Sequence, residues 1–201
     1  KRLNEQPRIG LQAMINLANL EPGHISIDDI VFKIGPRINA AGRMEVDSDD
    51  ENAAPSGGHS AVYLMVARDE EVASEYGAFI DTCNQDRKNI DRSITQEAHE
   101  IIESHPEMKN RKSTVIYNPK WMKGIVGIVA SRLIETYFRP TVVLTMSNGY
   151  VTGSARSVPG FDLYQAVESC SDLLENFGGH IYAAGLTMKP ENVNEFMRRF
   201  N

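Results

Sequence analysis

The sequence predicts an α/β fold: a mixed β-sheet flanked by helices, preceded by a long connecting helix and a helical linker. Two observations carry this reading. After Pro106, short β-branched runs alternate with helical stretches in the order βαββαβα, which implies a mixed sheet covered by helices. Before it, Val72, Tyr76, Phe79, Cys83, Ile90, Ile94, Ala98 and Ile101 recur at steps of three or four, with one polar gap near Arg87. That spacing describes an amphipathic helix from Asp69 to Ser104, about 50 Å long.

Taken in order, Ile9, Leu11, Met14, Ile15, Leu17 and Ala18 fit a helix within Pro7 to Leu20, which Glu21-Pro22-Gly23 stops. Residues 28–34 lead into Gly35-Pro36, read as a turn, and the small-residue segment Asn39 to Met44. Residues 45–58 read as an exposed loop, most of whose acid lies in Glu45-Val46-Asp47-Ser48-Asp49-Asp50-Glu51. Such a run is a solvated loop; it lacks the Gly and terminal Glu of a calcium loop. Ser60 to Ala67 is a short helix. Ser113 to Tyr117 and Thr141 to Leu144 read as strands, with a helix from Gly124 to Phe138 between them. Asn148-Gly149 is a hairpin turn into a strand from Tyr150 to Ser154. Asp162 caps a helix running to about Asn176, Ala183 to Met188 is the last strand, and Pro190 opens a final helix through Phe200.

Composition narrows the function classes. The 201 residues are 41% hydrophobic and 24% charged, as in an ordinary globular protein. No apolar run approaches the roughly 18 residues that a membrane span needs. The opening Lys1 to Pro7 has neither an initiator Met nor a signal-peptide core, so a piece of a longer protein is expected; two cysteines fit a reducing cytoplasm, the expected location. Cys83 and Cys170 lack metal-type spacing. A net charge of −6 argues against general affinity for nucleic acid, though not against a local basic groove.

The chemistry-bearing segments bind anions and cannot cut them. Gly153-Ser154-Ala155-Arg156-Ser157 offers a hydroxyl and a guanidinium fork at a sheet end, where α/β domains place ligands. Its bland reading is a polar turn with a surface arginine. Phe177-Gly178-Gly179-His180 reads as a second glycine-rich turn, its bland reading a helix C-cap by Gly178. Capping needs neither Gly179 nor His180. Arg43 ends the small-residue segment after Gly35-Pro36. Gly124, Gly127, Ala130 and Ser131 serve close helix–sheet packing or open a helix N-terminus that receives a phosphate, and Trp121 is either a base-stacking platform or a partly buried residue. His24, His59, His99, His105 and His180 form no metal-binding motif, and no nucleophile system stands out.

Taken together these segments resemble the RecJ family of single-strand-specific 5′→3′ DNA exonucleases, within the DHH/DHHA1 phosphoesterases. The resemblance rests on Phe32 to Met44, Gly127 to Leu133, Arg139 to Leu144, Gly153 to Ser157, Pro159 to Asp162, Phe177 to His180 and Ala183 to Thr187. It implies a linker over residues 1–59 that follows a DHH domain, an interdomain connector helix over 60–106 and a DHHA1 substrate-binding domain over 110–201. Ser154, Arg156, Gly178, Gly179, His180 and Arg43 would hold the phosphate, with Arg43 and His180 assisting near the scissile bond. Met122 stands where the family usually has His and is left out of the site.

The same resemblance implies that Mn2+ or Mg2+ is bound by the DHH domain, with no metal in this stretch. It makes the expected partners single-stranded DNA with a 5′-phosphate, the DHH domain in cis, single-strand-binding protein and repair helicases, in DNA repair and recombination. The stretch by itself is expected to be inactive. Two alternatives stay open: another DHH/DHHA1 phosphoesterase acting on short RNA or small nucleotides, and a non-catalytic nucleic-acid-binding module.

Overall fold

The computed structural model describes residues 2–44 and 57–200, and the acidic loop expected over 45–58 lies outside them except for Gly57 and Gly58. The chain divides into two compact units, residues 1–89 and 90–201.

The first unit is helical. Helices α1 (Arg2–Glu5) and α2 (Ile9–Leu17) are followed by α3 (Ile27–Asp29), whose start is fixed by a capping box. Ser26 Oγ accepts from the Asp29 amide and the Asp29 carboxylate accepts from the Ser26 amide, so two orphan donors are satisfied. The chain continues through a π-helical stretch, Ile30–Ile34, directly into α4 (Gly35–Arg43). Gly35-Pro36 is therefore no turn. Proline is tolerated in a first helical turn because its missing N–H would have had no partner there, and the segment Asn39 to Arg43 is helix, not connection. Helix α5 (Gly57–Val66) starts three residues earlier than the apolar pattern suggests, and α6 spans Glu70–Ser104. The core of this unit gathers Met14, Ile15, Ile25, Ile34, Ala41, Leu64, Ala73 and Ile80. Gly10 lets α2 cross the backbone of Leu64, since a Cβ there would collide with the Leu64 carbonyl.

The second unit begins inside α6 and contains the sheet. After α7 (Pro106–Lys109) come β1 (Thr114–Tyr117), α8 (Lys123–Tyr137), β2 (Thr141–Ser147) and β3 (Tyr150–Arg156). Helix α9 (Leu163–Glu168), β4 (Leu174–His180), β5 (Ala183–Met188) and α10 (Val193–Phe200) complete it. Among the described residues one sheet forms, in the order β1-β2-β3-β5-β4. Only β1 and β2 are parallel, joined by α8; the other pairs are antiparallel. The Asn148-Gly149 turn has positive φ at both residues, 49° and 78°, as a tight hairpin requires.

Further expectations are corrected here. The helix capped by Asp162 ends at Glu168, not near Asn176, and a short 3-10 turn (Ser171–Leu173) leads into β4. The segment Phe177 to His180 is thus an edge strand rather than a glycine turn capping a helix, and Gly153 to Arg156 likewise lies within β3. Pro190 opens a 3-10 turn, Pro190–Asn192, and α10 starts at Val193.

The two faces of the sheet differ. Val142, Leu144, Val151, Ala155, Ala184, Leu186 and Met188 pack with Leu163, Val167, Val193 and Phe196 of α9 and α10 into the main core. The opposite face is covered by α8 over β2 and β3. Among the described residues no helix is long and apolar enough to cross a membrane.

Candidate functional site

Strand pairing determines which candidates meet. Arg156 pairs with Ala183, which pairs with His180; Ser154 pairs with Gly185, which pairs with Gly178. Thr152, Thr187 and Asn176 form the next row. Directly paired residues project from the same face, and residues two apart on a strand do so as well. All three rows therefore share the face that carries α8. Arg156 and His180 stand two strands apart, about 10 Å. The sequence shows their chemistry, but their common face follows from β5 lying between them.

On this face Arg156 Nη1 donates to Ser154 Oγ at 2.7 Å and to the Ala155 carbonyl at 2.9 Å. Both side chains are half-buried. Helix α8 backs them through Gly127. A Cβ at Gly127 would lie 3.0 Å from Arg156 Nη2, 3.0 Å from Ser154 Oγ and 3.4 Å from Ser154 Cβ. Gly127, assigned to packing from the sequence, therefore also belongs to the surroundings of the Ser154–Arg156 pair.

His180 is exposed, and its Nδ1 accepts from the Tyr182 amide at 3.2 Å. In the tautomer that makes this bond the ring hydrogen sits on Nε2, where it can donate to a ligand. The Tyr182 ring meets it edge-on, with centroids 6.3 Å apart.

The glycines divide by role. Gly179 has φ +152°, and a Cβ there would strike the Ala183 carbonyl and Ala184, so the fold itself requires glycine. Nothing lies within 4 Å of a Cβ built at Gly178, and at Gly185 only the Gly153 carbonyl does, at 3.9 Å. These two glycines pair across the strands and leave the sheet bare beside Ser154. With Thr152, Asn176 and Thr187 they line a shallow groove of about 350 Å³. The sequence reading missed Gly185; its signal was a glycine in a strand interior, which marks close approach of another group. A larger cleft of about 730 Å³, lined by Pro7, Gln12, Asn16, Glu70 and Ser74, includes none of the candidate residues.

Arg43 is the last residue of α4, in the first unit, and is exposed. Trp121 is 4% exposed and donates through Nε1 to Glu97 at 2.9 Å, so it is a packing residue and not a stacking platform. Among the described residues no group of three or more His, Cys, Asp or Glu is arranged to hold a metal ion. The described residues thus do not fit a metal centre. What the arrangement can do is hold an anion: a guanidinium, a hydroxyl and an imidazole N–H facing one side of a bare sheet.

Comparison with known proteins agrees with the fold. Residues 110–201 match the DHHA1 domain. The single-stranded-DNA-specific exonuclease RecJ of Bacillus subtilis is 36% identical over 203 residues, covering 100% of this chain and 24% of that protein. The RecJ of Escherichia coli is 31% identical over 96% of this chain and 33% of its own length. Among solved structures, RecJ from Thermus thermophilus in complex with Mn2+ superposes with a TM-score of 0.81 at 26% identity, over 99% of this chain and 27% of that one. The Mg2+ complex gives 0.81 at 25%, over 99% of this chain and 29% of that one. The chain spans about a quarter to a third of the length of the curated relatives it matches. Residues 110–201 match the DHHA1 domain family, and the whole chain is similar to one stretch of the RecJ proteins.

Proposed function

We propose that this chain is the strand-holding portion of a RecJ-type exonuclease, gripping the 5′-phosphate end of single-stranded DNA for hydrolysis by a metal-bearing DHH domain of the same protein. The observation that carries this reading is the row structure of the sheet: Arg156 and His180 in one row, Ser154, Gly185 and Gly178 in the next, all on one face. Arg156 and Ser154 donate to the terminal phosphate oxygens and His180 Nε2–H donates from the far strand. The bare glycines let the backbone of the DNA strand approach the sheet. Arg43 joins the grip by resemblance, near the scissile phosphate. Mn2+ or Mg2+, carried by the DHH domain, would activate the attacking water. The residues of this chain orient the strand and offset its charge. A cytoplasmic location, and cooperation with single-strand-binding protein and repair helicases, belong to the same reading.

The test is Arg156→Ala in the full-length protein, assayed on 5′-phosphorylated and 5′-hydroxyl single strands. A charge-assisted bond is worth about 1.5–3 kcal/mol, so the preference for the phosphorylated strand should fall by about 10- to 100-fold. An unchanged preference would remove the reading. A preference for short RNA over long 5′-phosphorylated DNA would move it to another DHH/DHHA1 activity.

A further inference from the structure

The Ser154–Arg156 pair rests against α8, and α8 is tied to the last turns of α6 by three polar contacts. Trp121, two residues before α8, donates to Glu97 at 2.9 Å. Tyr137, the last residue of α8, shares a hydrogen bond of 2.9 Å with His99 Nδ1. Between them Arg132 donates Nε to one Asp91 carboxylate oxygen at 2.9 Å and Nη2 to the other at 2.7 Å. The Asp91 side chain is 1% exposed and that of Arg132 48%.

We infer that Asp91 and Arg132 are positioning residues for the phosphate grip, acting through α8. The helix packs on β2 and β3, and its Ile125, Val126, Val129, Ala130 and Leu133 are buried. Apolar burial is non-directional: it sets how close the helix lies to the sheet more firmly than how far it slides or turns. Gly127, which faces Ser154 and Arg156, and the buried Ala130 offer little to interlock. Directional contacts must then supply the register. The Asp91–Arg132 fork is the one of the three ties that joins two opposite charges, and a buried carboxylate cannot release its partner without remaining an unpaired charge.

Arg132 lies five residues beyond Gly127, about 7.5 Å along the axis. At Gly127 the fit is tight, since even a Cβ would sit 3.0 Å from both Ser154 Oγ and Arg156 Nη2. A small slide of α8 therefore moves the surface on which the guanidinium and hydroxyl lie. Asp91 touches no substrate; it fixes the helix that shapes the donors.

This inference rests on the phosphate reading, and its test separates the two. In the full-length protein, KM and kcat are measured on 5′-phosphorylated and 5′-hydroxyl strands for Asp91→Asn, Arg132→Lys, Arg132→Ala, Gly127→Ala and Arg156→Ala. Asp91→Asn and Gly127→Ala should each raise KM for the phosphorylated strand about tenfold, with kcat and the KM for the hydroxyl strand unchanged. Arg132→Lys, which keeps the charge and one bond, should lose less than Arg132→Ala. If Asp91→Asn lowers Tm but leaves the ratio of the two KM values unchanged, the tie is only structural and the inference is overturned. Should Asp91→Asn fail to fold, an unchanged KM ratio in Gly127→Ala and Arg132→Ala overturns it equally. If Arg156→Ala also leaves that ratio unchanged, the phosphate reading itself fails, and the inference with it.

Discussion

At the scale of single residues, adjacent glycines in β4 do opposite jobs. Gly179 is held at φ +152° against Ala183 and Ala184, where a Cβ has no room. Gly178, its neighbour, and Gly185, paired with Gly178, have ordinary backbone and open space above them. A glycine in a strand interior costs about 0.5–1 kcal/mol relative to alanine. Gly178→Ala and Gly185→Ala should therefore leave stability unchanged or raise it by up to about 1 kcal/mol, while Gly179→Ala should lose about 1–3 kcal/mol from strain and collision. Urea unfolding of the three variants checks this. Equal destabilisation at all three would mean that Gly178 and Gly185 serve the fold, and that the bare groove is incidental. No pattern in Phe177-Gly178-Gly179-His180 distinguishes the two glycines. The distinction arises from β5, whose Ala184 faces Gly179 while its Gly185 faces Gly178.

At the scale of elements, the start of α3 shows how a short helix is held. The Asp29 carboxylate accepts from Lys33 Nζ at 2.8 Å and from the Ser26 amide at 3.0 Å and hydroxyl at 2.7 Å. These bonds, that to Lys33 foremost, hold its pKa well below the ordinary carboxylate value of 3.8. A carboxylate with a depressed folded pKa stabilises fully above its unfolded pKa, and that contribution disappears as pH falls through the folded value. Amide-exchange protection over Ile27 to Ile34 should therefore exceed that of Asp29→Ala by a constant margin from pH 7 to about 5. The margin should shrink below about pH 4. A margin independent of pH would show that the ionised carboxylate contributes nothing.

Elements were legible in the sequence where one strong local signal sufficed. The 35 residues of α6 announce themselves by apolar period, and the β2–β3 hairpin by Asn148-Gly149. Strand β4 carries no such signal. Leu174-Glu175-Asn176-Phe177-Gly178-Gly179-His180 has two apolar side chains, two glycines and an exposed outer edge, and it is a strand because β5 pairs with it. The candidate site was legible in the same partial way. Ser154, Arg156 and His180 stood out by chemistry, but their shared face is a consequence of non-local pairing. Gly127 entered from a helix that local reasoning assigned mainly to packing.

At the scale of the whole molecule, the matched domain and the compact unit do not begin at the same residue. The family match covers 110–201, whereas the second unit starts at Ile90, inside α6. The intervening turns fall within the second compact unit. Ile94, Ala98 and Ile102 are buried, Asp91 is fully buried against Arg132, and Glu97 and His99 hold the two ends of α8. Burying each isoleucine is worth about 1.5–3 kcal/mol, against a total stability of about 5–15 kcal/mol for a domain. Cutting at residue 110 removes that burial, strips Arg132 of its carboxylate and takes the partners of Trp121 and Tyr137 away. Residues 90–201 expressed alone should therefore unfold cooperatively, and residues 110–201 should melt more than about 10 °C lower, since about 1 kcal/mol shifts Tm by 4–8 °C at this size. Circular dichroism melts of the two pieces decide the matter. Equal Tm values would mean that the sheet and its own helices form a complete domain and that α6 merely passes by. A large gap would make the end of the long helix part of the domain that carries the Ser154–Arg156 pair.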